Sequence, residues 1–151
     1  MSTPSQNPTH LALLQATTPP PRSLFLNLIT ASHILHNQKI STSPHSSISI
    51  RNPQDHSKFF LPRALAPQLL TSREEILEYR VQDASRVRRK REEDEEGEEE
   101  VKERFLHSEI YKAYVGVQSV VHSHAEATIP FSVGSVPLRA VGYEGAAVMG
   151  E

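Results

Sequence analysis

The chain has 151 residues, 37% of them hydrophobic and only 6% aromatic, with a formal net charge of -2 and no cysteine. Those values fit one domain with tails and a modest core. They exclude disulfides, thiolate metal sites and cysteine nucleophiles, and the near-neutral balance argues against nucleic acid or a membrane surface as the main partner. No stretch approaches the roughly 20 apolar residues that span a bilayer. The lack of cysteine suits a cytoplasmic setting.

Residues 1–22 are rich in Ser, Thr and Pro and lack the charged start and long apolar run of a signal peptide, so a disordered tail is expected. After three prolines, Leu24, Leu28, Ile29 and Leu35 recur at helical spacing. A helix over 24–37 follows, with Ser23 as its N-cap. His33 and His36 lie three apart on it, either as a metal pair or as surface and packing residues.

Next, Ser47, Ser49 and Arg51 alternate with Ile48 and Ile50, the period-2 signature of a half-buried strand. "NPQDHS" is a turn by composition, and residues 58–61 form a second strand closed by Pro62. "TSREEILEYRV" carries two signals: Ser72 and Glu75 have the spacing of a helix-starting capping box, while "ILEYRV" alternates like a strand. From about 85 to 101 the composition becomes low-complexity, with a basic block (Arg86, Arg88, Arg89, Lys90, Arg91) directly followed by a run of acids. Adjacent opposite charges cancel within a Debye length of about 8 Å, so the segment reads as a solvated insertion and not a nucleic-acid site.

"KERFLHSEIYKAY" is helical, with Phe105, Leu106, Ile110 and Tyr114 expected on the apolar face and Glu103 and His107 on another. "VQSVVHSH" is a strand, a short helix ends near Pro130, and "VPLRAVGYE" supplies one more strand. Helices alternating with short strands predict an α/β domain.

His122 and His124 are the strongest chemical signal. Residues i and i+2 of a strand share a face, so two imidazoles can converge on one ion. They can equally be strand-end residues hydrogen-bonded to backbone. Glu103 stands 19 positions before His122, at the start of the preceding helix. A carboxylate beside a Lewis acid is the pairing that moves a proton next to a polarised carbonyl. The competing reading is one acid among many, stabilising a helix N-terminus.

"LITASHILH", "SISIRNP", "FFLPRALAP" and "ERFLHSEIYKAYVGVQSVVHSHAEATIPFSVGSVPLRAVG", in that order, resemble the class II aldolase/adducin family of fuculose-phosphate-aldolase-like proteins. The most specific part is Glu103, His107, Tyr111 and then Val-Val-His-x-His; the resemblance also implies a strand in "TSREEILEYRV", with Thr71 to Glu74 as the turn. The resemblance implies a three-layer α-β-α fold over 23–151, here C-terminally truncated. It also implies a divalent metal, zinc first and iron or manganese as alternatives. His122 and His124 match two of three histidine ligands, Glu103 matches the proton-carrying glutamate, and Ser46 and Ser47 fall where a Gly-His or Gly-Asn pair binds substrate. The implied activity is an aldolase-type lyase working through an enediolate on a small carbonyl or sugar-phosphate-like substrate, in a homo-oligomer. The alternative is a non-enzymatic interaction domain in the manner of adducin, or an inactive fragment. No histidine follows His124, so the third ligand has no counterpart in this sequence.

Overall fold

The computed structural model describes residues 21–41, 46–88 and 101–135. The expected N-terminal tail, most of the charged run and the strand expected in "VPLRAVGYE" lie outside them. No helix among the described residues is long and apolar enough to cross a membrane.

Helix α1 spans Arg22–Asn37. Pro21, extended at φ -61° and ψ 141°, holds the N-cap position and makes no side-chain cap bond, so Ser23 lies inside the first turn and is not the cap. Proline's fixed φ presets this entry without a hydroxyl. The helix buries Phe25, Leu28 and Ser32, one residue per turn. Its end is a Schellman turn: the Ile40 N–H reaches the Leu35 carbonyl at 2.9 Å, and Lys39 sits at φ 57°. A side chain with a Cβ is strained in that left-handed position. Lys39→Gly is therefore expected to raise stability by about 1 kcal/mol, read as a higher urea midpoint. His33 Nε2 donates to the Leu70 carbonyl at 2.8 Å, and His36 Nδ1 bonds the Ser41 carbonyl at 3.3 Å. Both rings fasten loop backbone to the helix, which is the packing alternative for this pair.

Strands β1 (Ser47–Arg51) and β2 (Lys58–Pro62) form the expected antiparallel hairpin, with Ile50 opposite Phe60 and Arg51 opposite Phe59. The turn is built by side chains. Asn52 Oδ1 accepts the Gln54 N–H at 2.9 Å, and Asp55 Oδ1 accepts the Ser57 N–H at 3.1 Å.

The ambiguous stretch obeys both of its signals in succession. Arg73–Glu75 is a single 3-10 turn closed by a Ser72/Glu75 capping box, and β3 (Ile76–Arg80) follows at once. The Glu75 carboxylate accepts the Thr71 and Ser72 N–H groups at 2.7 and 2.8 Å. Those backbone donors, Thr71 first, hold its pKa below the ordinary carboxylate value.

Residues at either end of the charged run are packed. Arg86 bridges to Tyr79, the Val87 N–H bonds the Glu78 carbonyl at 2.8 Å, and Val101 is buried in the core. Both borders thus belong to the packed fold.

Helix α2 (Arg104–Ala113) corrects the expected orientation. Phe105, Leu106 and Tyr114 are 53%, 40% and 64% exposed, while His107, Ser108 and Tyr111 are buried. The inward face is chosen by hydrogen bonds as well as apolar area: Ser108 Oγ donates to the Val81 carbonyl at 2.6 Å, and His107 and Tyr111 meet partners on β1. Strand β4 (Ser119–His122) then pairs with β1, and α3 (Ile129–Val133) follows. Pro130 sits in the first turn of α3 and starts the helix that it was expected to end. Its missing N–H is one of the unpaired donors of a first turn in any case.

The four strands form one sheet in the order β3-β2-β1-β4, antiparallel throughout. Alternation along β2 sends neighbours to opposite faces. Phe60 joins Phe25, Leu28, Leu70 and Ile76 in a cluster with α1. Phe59 joins Leu61, Leu77, Tyr79, Val120 and Tyr111 in a cluster with α2. The candidate site lies on the α2 face, at the β1/β4 edge.

Candidate functional site

The site grows from the register of β1 on β4. Ser47 lies opposite His122, and Ser49 opposite Val120. Because β1 alternates, Ser47, Ser49 and Arg51 share the face covered by α2, and Ile48 and Ile50 pack with the α1 cluster. Ser49 and Arg51 are therefore buried and Ser47 half-buried, and each finds a partner on α2 or in the loops around it.

His107 is 0% exposed and lies between two hydroxyls. Its Nε2 is 2.7 Å from Ser47 Oγ and its Nδ1 is 2.7 Å from Ser49 Oγ, while Ser49 Oγ is 2.8 Å from the Tyr111 hydroxyl. Burial first, and the His122 charge second, push the His107 imidazole down from its ordinary value to about 4. Burial pushes the Tyr111 hydroxyl up to about 12 against the opposing effects of Ser49, Arg51 and Val120. Beneath them the Arg51 guanidinium stacks 4.6 Å from the Tyr111 ring centre. It donates to the carbonyls of Val117 (2.9 Å), His56 (2.7 Å), Tyr111 (2.8 Å) and Tyr114 (3.3 Å).

The expected site residues divide as follows. Strand β4 stops at His122, and His124 lies in the segment beyond it. The two rings nevertheless meet edge to face with centres 4.9 Å apart. Ser47 faces His122 across the strand pair. Ser46 is buried, and its Oγ has no hydrogen-bond partner among the described residues; it borders a cavity of about 20 Å³ shared with Ser32, Ser41 and Ser47. Glu103, half-buried, occupies the N-cap position of α2, and its carbonyl accepts the His107 N–H at 3.2 Å. It therefore stands one helical turn before the buried histidine.

The fit of these residues to a metal is partial. His122 and His124 supply two imidazole donors within reach of each other, but the described residues gather no group of three His, Cys, Asp or Glu that could hold an ion.

Sequence reasoning left the roles of Ser49, His107, Tyr111 and Arg51 unread. Two signals were available: the S-x-S-x-R alternation on β1, and the i, i+4 pair His107/Tyr111 on α2. Each marks one polar face, and the two faces meet.

The β4 strand thus ends in a His-x-His beside the cluster that α2 joins, and α1 packs with the cluster of Phe60. The class II aldolase and adducin N-terminal domain matches residues 27–151, and the chain belongs to that family. Among curated proteins, it is 41% identical over 111 residues to the decarboxylase tropJ of Talaromyces stipitatus. That match covers 74% of this chain and 39% of the relative. Among solved structures, it superposes on L-fuculose 1-phosphate aldolase from Glaciozyma antarctica with a TM-score of 0.67 at 22% identity. There the match covers 89% of this chain and 55% of the other, which establishes the shared fold. The chain thus spans well under two thirds of either protein's length.

Proposed function

We propose that this chain carries the ligand-bearing part of a metal-dependent carbon–carbon lyase, built as a three-layer α-β-α domain and acting in the cytoplasm as a homo-oligomer. The observation behind this reading is the His122/His124 pair, with ring centres 4.9 Å apart and His122 across from Ser47. Aldol cleavage and decarboxylation share one demand: the electron pair of the broken bond must spread into a neighbouring carbonyl. Two proteins that this chain resembles are named a decarboxylase and an aldolase, which supports this reading.

In this reading His122 and His124 hold a divalent ion, zinc first, with its further donor supplied from outside the described residues. When bound, that ion supplies Lewis acidity toward the substrate carbonyl. Glu103 takes a proton from the carbon beside the carbonyl, or returns one to it. Ser47 and Ser46 bind the oxygens of a small carbonyl or sugar-phosphate-like substrate. The apolar cluster under β4, anchored by Val120, keeps the imidazoles in place.

Calorimetric titration of zinc, manganese and iron into the full chain tests this. Zinc is expected to bind, and His122→Ala and His124→Ala are each expected to weaken it at least about tenfold, or 1.4 kcal/mol. Binding no tighter than millimolar, or binding that survives both substitutions, would overturn the reading.

A further inference from the structure

The chain of contacts from Tyr111 to Ser47 has a direction. A neutral imidazole carries one N–H, so His107 donates to one serine and accepts from the other. Which way round is decided at the far end. Tyr111 is 1% exposed, and its hydroxyl partner among the described residues is Ser49 Oγ. If Ser49 donated to Tyr111, the phenolic proton would be buried without an acceptor. With Tyr111 donating instead, every proton along the chain is used: Tyr111 O–H to Ser49, Ser49 O–H to His107 Nδ1, and His107 Nε2–H to Ser47 Oγ.

Ser47 then receives a proton from behind and keeps its own O–H. His107 is its only hydrogen-bond partner among the described residues, and its strand position faces His122. We propose that Tyr111, Ser49 and His107 are positioning residues that present Ser47 to the candidate site as a hydrogen-bond donor, so that the ligand group met there is an acceptor oxygen of a carboxylate or phosphate. The assignment of the ligand to a substrate rests on the proposed lyase reading. The polarity of the chain does not.

The arrangement is rigid for a stated reason. Each hydroxyl rotor is fixed by its neighbour, and burial removes competing water, so the bonds reinforce one another. The arrangement also works without any charge change at neutral pH, because the imidazole stays neutral.

The test reads the ring directly. In the full chain labelled with 15N-histidine, long-range 1H–15N spectra at pH 7 are expected to show His107 protonated at Nε2 and bare at Nδ1. An Nδ1–H ring or a doubly protonated ring would overturn the proposal. Tyr111→Phe removes the terminal donor with little change of shape, and is expected to move His107 toward the Nδ1–H form. An unchanged tautomer in the folded variant would also overturn it. Should that variant not fold, Ser49→Ala asks the same question of the Nδ1 side.

Acetate and inorganic phosphate, titrated separately into wild type, identify the acceptor. One of them is expected to shift the Ser47 amide signal, and Ser47→Ala is expected to weaken that binding at least about fivefold. A donor Ser47 is supported by either ion, which names the source, and refuted if neither perturbs it. His107→Gln keeps an N–H donor and is expected to retain binding within about threefold, whereas His107→Leu loses it. Equal binding by both variants would show a merely structural role. Absence of zinc binding would remove the lyase reading and leave the tautomer as stated. A reversed tautomer would remove this inference and leave zinc binding as stated.

Discussion

Arg51→Met is expected to lower folding stability by about 4 kcal/mol. Arg51 is 4% exposed, and its guanidinium donates to four main-chain carbonyls from three separate segments. Two of those carbonyls close the C-terminal end of α2, one lies in the β1/β2 turn, and one leads into β4. Methionine matches the stem's apolar length but offers no donor, so four acceptors lose their partner together. Arg51→Lys is expected to recover less than half of the loss, because a compact ammonium lacks the planar fork that reaches several carbonyls and stacks on Tyr111. Urea melts of the three proteins check this: the midpoint falls and the slope stays constant. A loss below about 1 kcal/mol for Met would contradict the anchoring role.

The second large effect is acid sensitivity. His107 titrates near 6.5 when unfolded and at about 4 when folded. Above pH 6.5 both states are neutral there and the group contributes nothing to pH dependence. Between 6.5 and 4 the unfolded chain binds a proton that the folded chain refuses, so stability falls as pH falls. The slope approaches about 1.4 kcal/mol per pH unit and the total about 3 kcal/mol by pH 4. The ring is fully buried, so solvent does not screen the effect. Glu75 acts in a lower window, because a carboxyl with a depressed pKa loses its contribution only as pH drops through that value. Urea midpoints at pH 7.5, 5.5 and 4.5 check the prediction. His107→Gln has no titrating ring, and its curve is expected to stay flatter over the same range. Equal slopes in the two proteins would assign the acid sensitivity to other groups.

Much of this fold was legible in the sequence because local signals agreed with tertiary packing. The 24–37 periodicity became α1, and the Ile/Ser alternation became β1. "TSREEILEYRV" shows why two correct signals can look contradictory: a capping box needs only one turn, and the strand begins at its end. The helix after Glu103 shows the limit. A rule that puts apolar residues inside selects Phe105 and Leu106, yet the helix turns His107, Ser108 and Tyr111 inward. No single segment contains the reason, because the polar face of α2 is matched to the polar face of β1 some sixty residues away. The candidate site was legible in the same uneven way. His122 and His124 draw notice by their spacing, whereas the hydroxyls that hold His107 look like surface serines until the strand is placed.

The polar stripe of β1 also bears on folding fidelity. β1 is held between β2 and β4, so its register is tested from both sides. A slip of one residue would exchange its two faces. The Arg51 guanidinium would enter the cluster of Phe25, Leu28 and Phe60 with no carbonyls to receive it, and Ile48 or Ile50 would press on the His107 ring in place of its serines. Each misfit costs several kcal/mol, and the two occur together. The serines and the arginine that equip the candidate site therefore also act as an error check, making the mispaired sheet a poor competitor of the native one.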